Sequence, residues 1–236
     1  MGRISIVIPA YNEEKAIGLT LERTLSYLVD RPWESEVLVV DDGSSDGTVG
    51  QVETLARQHP AISCLPNECN RGKGFSIRRG VEQATGRYIG FMDADYKTEI
   101  ATLDHVVQYL EEGWDGVIGD RTLAGSDIRV ARRRFRQWGS GAFRRLLHAL
   151  IGLRELGDTQ CGFKFFRAEV MRDLFERQQI DGYMFDVEVL LLAARSGYRI
   201  RPIAVEWRDD PDSRFKPVTG MIRNLGELAR IRWRVR

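Results

Sequence analysis

The chain opens with two short apolar runs. Ile4 to Ile8 ends at Pro9, Glu36 to Val40 ends at Asp41 and Asp42, and both read as buried strands. Between them Glu13 to Val29 carries apolar residues at helical spacing, and Asp46 to Gln58 repeats that pattern after the second run. The order β-α-β-α predicts a mostly parallel sheet with helices on both faces. Further strands are expected at Ala61 to Leu65, Tyr88 to Met92 and Gly116 to Ile118, with helices near Phe75 to Ala84 and from about Ile100 to Glu111. The alternation then stops. Ile128 to Ile151 reads as a basic amphipathic helix, with Phe135, Trp138, Phe143, Leu146, Leu147 and Leu150 among arginines. A loop at Gly157 to Lys164, a helix at Asp186 to Ser196 stopped by Gly197, a strand near Ile200 to Trp207 and a last helix after Pro217 complete the expected order.

Composition narrows the class. A chain of 236 residues, 43% hydrophobic and 29% charged, can bury a substantial core, and a single α/β domain over residues 1–236 is expected. Lys and Arg number 35 against 34 Asp and Glu, so net charge does not announce a nucleic-acid partner. Arginines nevertheless crowd Arg129 to Arg145 and Arg223 to Arg236, far in sequence from the acids around Asp41 and Asp93, which points to two different anionic ligands. Cys64, Cys69 and Cys161 lack metal-ligand spacing and leave one unpaired, so a reducing, cytoplasmic compartment is expected. The first residues carry no signal-peptide pattern, and no apolar run approaches the roughly 18 residues that a membrane span needs, so any membrane contact is expected at the surface.

Ligands of open parallel sheets bind outside the carboxyl ends of the strands. Three expected strand ends deliver acids there: Pro9-Ala10-Tyr11-Asn12-Glu13-Glu14, Asp41-Asp42-Gly43-Ser44-Ser45-Asp46-Gly47, and Asp93-Ala94-Asp95. So many carboxylates repel one another unless a cation or hydrogen-bond donors offset them. Asp93 and Asp95 are hard oxygen ligands suited to Mg²⁺ or Mn²⁺, and magnesium is commonly held by one or two carboxylates with substrate phosphates completing its shell. Asn70-Arg71-Gly72-Lys73-Gly74 stands before a helix, where glycines permit close backbone approach and Arg71 and Lys73 can neutralise phosphate oxygens. Neither a Walker loop nor a dinucleotide fingerprint is present. A receiver-type signalling domain also pairs acids at strand ends, but it needs roughly half this length and leaves Asn70 to Gly74 unexplained.

Taken as a set, these four motifs resemble those of the family 2 inverting glycosyltransferases, which have the GT-A fold. Asp158-Thr159-Gln160-Cys161-Gly162-Phe163-Lys164 and Phe185-Asp186-Val187-Glu188 are similar to the dolichyl-phosphate β-glucosyltransferase branch, kin of the polyprenyl-phosphate mannosyltransferases. The resemblance implies a nucleotide-sugar pocket made by Pro9, Ala10, Tyr11, Asn12, Glu13, Asp41, Asp42, Gly43, Lys73, Asp93, Ala94, Asp95 and Gln160, with Asp93 and Asp95 at the metal. It also implies a donor half over residues 1–120 and an acceptor and membrane-facing half over residues 121–236. One departure matters: mannosyltransferase relatives often carry Gln two residues after the second Asp, where this chain has Lys97. The donor therefore tilts toward UDP-glucose, with GDP-mannose as the alternative.

A phosphate monoester, with a second pKa of about 6, is already largely dianionic at neutral pH, so a polyprenyl phosphate acceptor needs cations more than a base. Arg121, Arg132, Arg133 and Lys164 are the candidates to grip it, Arg121 first because it follows the strand at Gly116 to Ile118. Asp158 and Gln160 are expected to order the loop beneath the sugar; a hydroxyl acceptor would instead require a base, and Asp158 is the suspect. Asp186 reads either as a contact to a sugar hydroxyl or as a helix N-cap, and Glu188, two residues on, should face elsewhere. Ser213, Arg214 and Lys216 are placed to close over a bound donor. Trp138, Phe135 and Phe143, with Arg132 to Arg136, suit a headgroup boundary, as does the last helix with Ile222, Leu225, Leu228 and Ile231; packing in the core is the other reading. A catalytically silent nucleotide-sugar binder also remains open, given Lys97.

Overall fold

The computed structural model describes residues 2–128, 157–208 and 217–234. Its sheet starts from β1 (Ile4–Ala10), which runs parallel to β2 (Ser35–Asp41) on one side and to β4 (Tyr88–Met92) on the other, with β3 (Ile62–Pro66) parallel to β2 at the edge. Side chains alternate across the pleat, so Ile6, Ile8, Val37 and Val39 enter one core while Val7, Leu38 and Val40 enter the other. The first core is closed by α1 (Ile17–Val29), α2 (Thr48–Gln58) and α4 (Leu103–Glu111). The second is closed by α3 (Lys73–Gln83), α5 (Ala168–Arg177), α6 (Phe185–Arg195) and α7 (Pro217–Arg234). The expected parallel sheet with helices on both faces is thus present.

Most boundaries follow the sequence pattern, with one early shift. The helix expected from Glu13 begins at Ile17, and ahead of it Asn12 N–H and Glu13 N–H donate to the hydroxyls of Ser44 and Thr48, at 2.8 and 2.9 Å. The loops after β1 and β2 are thereby sewn together at the sheet's carboxyl end.

The second half departs further. Where a loop was expected to run to Lys164, β7 (Phe163–Arg167) inserts antiparallel between β4 and β5 (Gly116–Asp120), followed directly by α5. Lys164 interrupts the apolar run and hides the strand from its sequence pattern, although Phe163, Phe165 and Phe166 are fully buried. The stretch from Ile200 divides into β8 (Ile200–Ala204), parallel to β5, and β9 (Glu206–Trp207), which pairs with β6 (Asp127–Ile128). The seven strands of the main sheet run β3-β2-β1-β4-β7-β5-β8, all parallel except β7. Leu228 and Ile231 of α7 belong to the core, while Trp233 is 80% exposed. Among the described residues no helix is long and apolar enough to cross a membrane. The basic stretch over residues 129–156, with Arg132, Arg133, Phe135, Trp138 and Phe143, and the segment with Ser213, Arg214 and Lys216 lie outside the described residues.

Candidate active site

The carboxyl ends of β1, β2 and β4 bring the expected acids to one edge of the sheet. Ala10 pairs with Asp41 at the last position of the β1–β2 register, and Asp93 follows Met92 on the other side of β1. After β1, Pro9 and Ala10 remain in the strand, Tyr11 is about half exposed, and Asn12 adopts φ 55°. In that left-handed conformation the Asn12 side-chain oxygen accepts from Ser45 N–H at 2.8 Å, a second tie between the loops.

The two acids after β2 differ in what satisfies them. Asp42 is buried, and its Oδ1 accepts from Asn67 Nδ2 and Arg71 N–H, both at 2.9 Å, while Oδ2 accepts from Gly72 N–H at 2.8 Å. It therefore anchors the Asn70 to Gly74 loop. Asp41 Oδ2 accepts from the N–H groups of Gly43 and Ser44 at 3.1 and 3.0 Å, Gly43 supplying the turn with φ 74°. Asp41 Oδ1 is buried without a partner among the described residues, an open acceptor in a place where such atoms are ordinarily satisfied.

The anchored loop delivers Lys73. Gly72, at φ 109°, passes so close to the Asp181 carbonyl that a Cβ would overlap it. Gly74 N–H donates to that same carbonyl at 2.8 Å. From the first position of α3, Lys73 reaches Asp93 Oδ1 at 2.6 Å. Burial works against both charges, but the pair outweighs it: Asp93, with Lys97 and Lys164 adding to Lys73, is held below the usual carboxylate range, and Lys73 is raised by Asp93 and Asp186.

Asp95 is placed differently. Its Oδ2 contacts the Lys97 ammonium, whereas Oδ1 is buried with no partner among the described residues. Burial, and then the neighbouring Asp93 charge, push its pKa up, with Lys97 and Lys73 pulling against them. Ala94 between them is buried, its carbonyl accepting from the Thr20 hydroxyl at 2.6 Å. An unpartnered carboxylate oxygen beside a second carboxylate is a hard donor set, which fits Mg²⁺ or Mn²⁺. No group of three His, Cys, Asp or Glu side chains is arranged for a metal among the described residues, so the rest of the shell would come from the ligand and water.

Beneath these groups lies a second layer of charge. Gly162 presses its backbone on the Asp93 carboxylate, where a Cβ would overlap it, and its carbonyl accepts from Asp93 N–H at 3.1 Å. Lys164 is fully buried on β7, donating to Cys161 O at 2.6 Å and to Asp186 Oδ1 at 2.7 Å, with Phe91 5.4 Å away. Its ammonium faces this inner layer and not solvent. Asp186 is no N-cap, a position held by Met184; burial raises its pKa, and Lys164 and Lys73 oppose that. Glu188 faces elsewhere, as its spacing predicts, and accepts from Gln179 and Ile180 N–H at 3.0 and 2.8 Å.

On the β5 side Arg121 grips Asp158 bidentately, Nε to Oδ2 at 2.5 Å and Nη2 to Oδ1 at 3.0 Å, with its guanidinium 5.2 Å from the Trp207 ring centre. Burial opposes the Asp158 charge, yet Arg121 holds its pKa below the usual range. Gln160 N–H donates to the same carboxylate at 3.1 Å. Lys164, expected to grip the acceptor phosphate, is instead spent inside the protein, because its ammonium is fully buried and paired with Asp186; Arg132 and Arg133 lie outside the described part. Sequence reasoning did not single out Gly162, or Arg78, whose guanidinium ties Gln178 and Asp181 behind the Lys73 loop at 2.6 and 2.7 Å. A glycine directly before the aromatic run of β7 was the available signal for the first; nothing local marked the second.

Residues 5–175 match the model of Glycosyl transferase family 2. A dolichyl-phosphate beta-glucosyltransferase of Trichomonas vaginalis is 33% identical over 97% of this chain and 72% of its own. Among solved structures, glucosyl-3-phosphoglycerate synthase from Mycobacterium tuberculosis in complex with UDP superposes with a TM-score of 0.72 at 20% identity, over 98% of this chain and 80% of that one. The same synthase with Mn²⁺, UDP and glucosyl-3-phosphoglycerate gives 0.66 at 23% identity, over 99% and 77%. With a GT-A type α/β fold, the chain belongs to glycosyl transferase family 2.

Proposed function

We propose that this protein moves glucose from UDP-glucose onto the phosphate of a polyprenyl or dolichyl phosphate, with inversion at the sugar carbon. The observation that carries the reading is the state of Asp158. A hydroxyl acceptor needs a base, and Asp158, the residue suited to that work, is clamped by Arg121 with a lowered pKa, which makes it a weak one. A phosphate acceptor, already dianionic, needs none. Kinship with dolichyl-phosphate beta-glucosyltransferases favours the glucosyl donor over GDP-mannose.

In this reading the open oxygen of Asp41 takes an N–H of the base, alongside Pro9, Ala10, Tyr11, Asn12, Glu13 and Gly43. Asp42 acts through the loop it anchors and brings Lys73 to the diphosphate. Asp93 and Asp95 hold Mg²⁺ or Mn²⁺, which when bound stabilises charge on the leaving diphosphate. Lys73 adds a fixed positive charge there without proton transfer. Lys164 works from below by fixing Asp186. Arg132 and Arg133 supply positive charge for the acceptor phosphate, while Arg121, paired with Asp158, holds the loop beneath the sugar. The donor occupies residues 1–120 and the acceptor residues 121–236, with the basic segments resting on the cytoplasmic face of a membrane.

The test is product formation. Purified protein, Mg²⁺ or Mn²⁺ and a short polyprenyl phosphate in detergent are incubated with UDP-glucose or GDP-mannose, and the lipid is read by mass spectrometry. Lipid-linked hexose from UDP-glucose, absent in EDTA and in Asp95→Ala, is expected. Nucleotide-sugar binding without product from either donor would overturn the assignment in favour of a silent binder or another acceptor.

A further inference from the structure

Among the described residues, Lys97 is a cation at the cleft that the reaction just described does not use. Its ammonium contacts Asp95 Oδ2, on the carboxylate whose other oxygen is buried and unpartnered among the described residues. Its side chain is only 19% exposed, so this is no solvated surface pair. The backbone around it is built to aim it. Tyr96 takes φ 49°, an uncommon conformation for a bulky residue, and its hydroxyl donates to Glu99 Oε1 at 2.6 Å. Arg208 N–H donates to the Lys97 carbonyl at 2.8 Å, and Thr98 forms a bridge with Trp207. The residue is thus held from both sides, with its point charge turned back onto Asp95.

We propose that Lys97 is a tethered counter-ion that competes with the divalent cation for Asp95, so that the metal binds tightly only together with a nucleotide diphosphate. The inference rests on the reading of Asp95 as a metal ligand. A second positive charge beside a two-carboxylate site repels an incoming ion and occupies one of its donor oxygens. A diphosphate reverses both effects: it contributes oxygens to the ion's shell and offers the lysine a new anion, freeing Asp95. Lys97 is therefore a positioning residue that couples the binding of metal and donor, a coupling that is reciprocal.

The measurement is titration calorimetry of Mn²⁺ into wild type, Lys97→Gln and Lys97→Arg, each with and without saturating UDP, after circular dichroism and thermal melting confirm that each is folded. Wild type should bind Mn²⁺ weakly alone and at least about tenfold more tightly with UDP. Lys97→Gln should bind Mn²⁺ alone about tenfold or more tightly than wild type and lose most of the gain from UDP, and Lys97→Arg should keep the wild-type pattern. Equal Mn²⁺ affinities in wild type and Lys97→Gln, with UDP-dependent Mn²⁺ binding intact, would overturn the coupling and leave the glycosyl-transfer reading standing. Failure of all three proteins to bind Mn²⁺ even with UDP would overturn both. Should Lys97→Gln not fold, Lys97→Arg and wild type decide: loss of the UDP-dependent gain in the arginine variant would count against a role set by charge.

Discussion

The ends of β2 and β4 look alike in sequence, each releasing two acids into the same crevice, yet the structure satisfies them in opposite ways. After β2, Asp42 is saturated by three N–H donors, two of them from the backbone of the Lys73 loop. After β4, Asp93 and Asp95 are met by lysine ammonium groups on flexible stems, and one oxygen of Asp95 has no described partner at all. A carboxylate locked by backbone donors holds the fold in place; a carboxylate balanced by a movable cation can exchange that cation for a ligand. Asp41 stands between the two cases, with one oxygen locked and one open.

That contrast can be broken by substitution. The largest effect belongs to the β4 end: Asp95→Ala should lower product formation about a thousandfold while shifting the melting temperature by no more than about 2 °C, measured by a lipid-product assay and by calorimetry. A large drop in stability with activity preserved would erase the distinction. Next comes the β2 end, where Asp42→Ala strands three donors and should cost about 3 kcal/mol of unfolding free energy in urea. Its donor affinity should fall only as far as the Lys73 loop loosens.

Asp158 extends the rule to a carboxylate held by both a cation and N–H groups, and Asp158→Asn should cost about 2 kcal/mol at neutral pH. Because its folded pKa is lowered, the contribution is complete above its unfolded value, near 4, and is lost as pH falls through the folded value. The stability gap between wild type and Asp158→Asn should therefore close on acidification, as followed by denaturation at stepped pH. The smallest effect is expected at Glu188, where one oxygen accepts two backbone N–H groups but burial raises the pKa, so Glu188→Gln, which keeps an acceptor and removes the charge, should change stability by no more than about 1 kcal/mol and leave turnover unchanged.

The first half of this fold is legible because its strands are continuous apolar runs and each ends in an acid or a proline. The second half is less so, for local reasons. Phe163 to Arg167 is a central strand, but Lys164 within it reads as a loop cation until Asp186, 22 residues later, is seen to neutralise it. The motif residues were also easier to place than to assign. Sequence brings Asp42 and Asp95 to one crevice by the same argument, and only their partners, Arg71 and Gly72 N–H for one and Lys97 for the other, tell the two carboxylates apart. The Lys97 departure from the mannosyltransferase pattern was visible in sequence, whereas its contact with Asp95 required the turn at Tyr96.

Transfer to a phosphate without a base is tested directly by setting two acceptors side by side. Wild-type protein with UDP-glucose and Mn²⁺ is given equal amounts of a polyprenyl phosphate and the corresponding free polyprenol, and the glucosylated lipids are resolved by mass spectrometry. Glucosyl polyprenyl phosphate as the sole product is expected. Glucosyl polyprenol in comparable yield would overturn base-free transfer and require a base that Asp158, held by Arg121, does not provide.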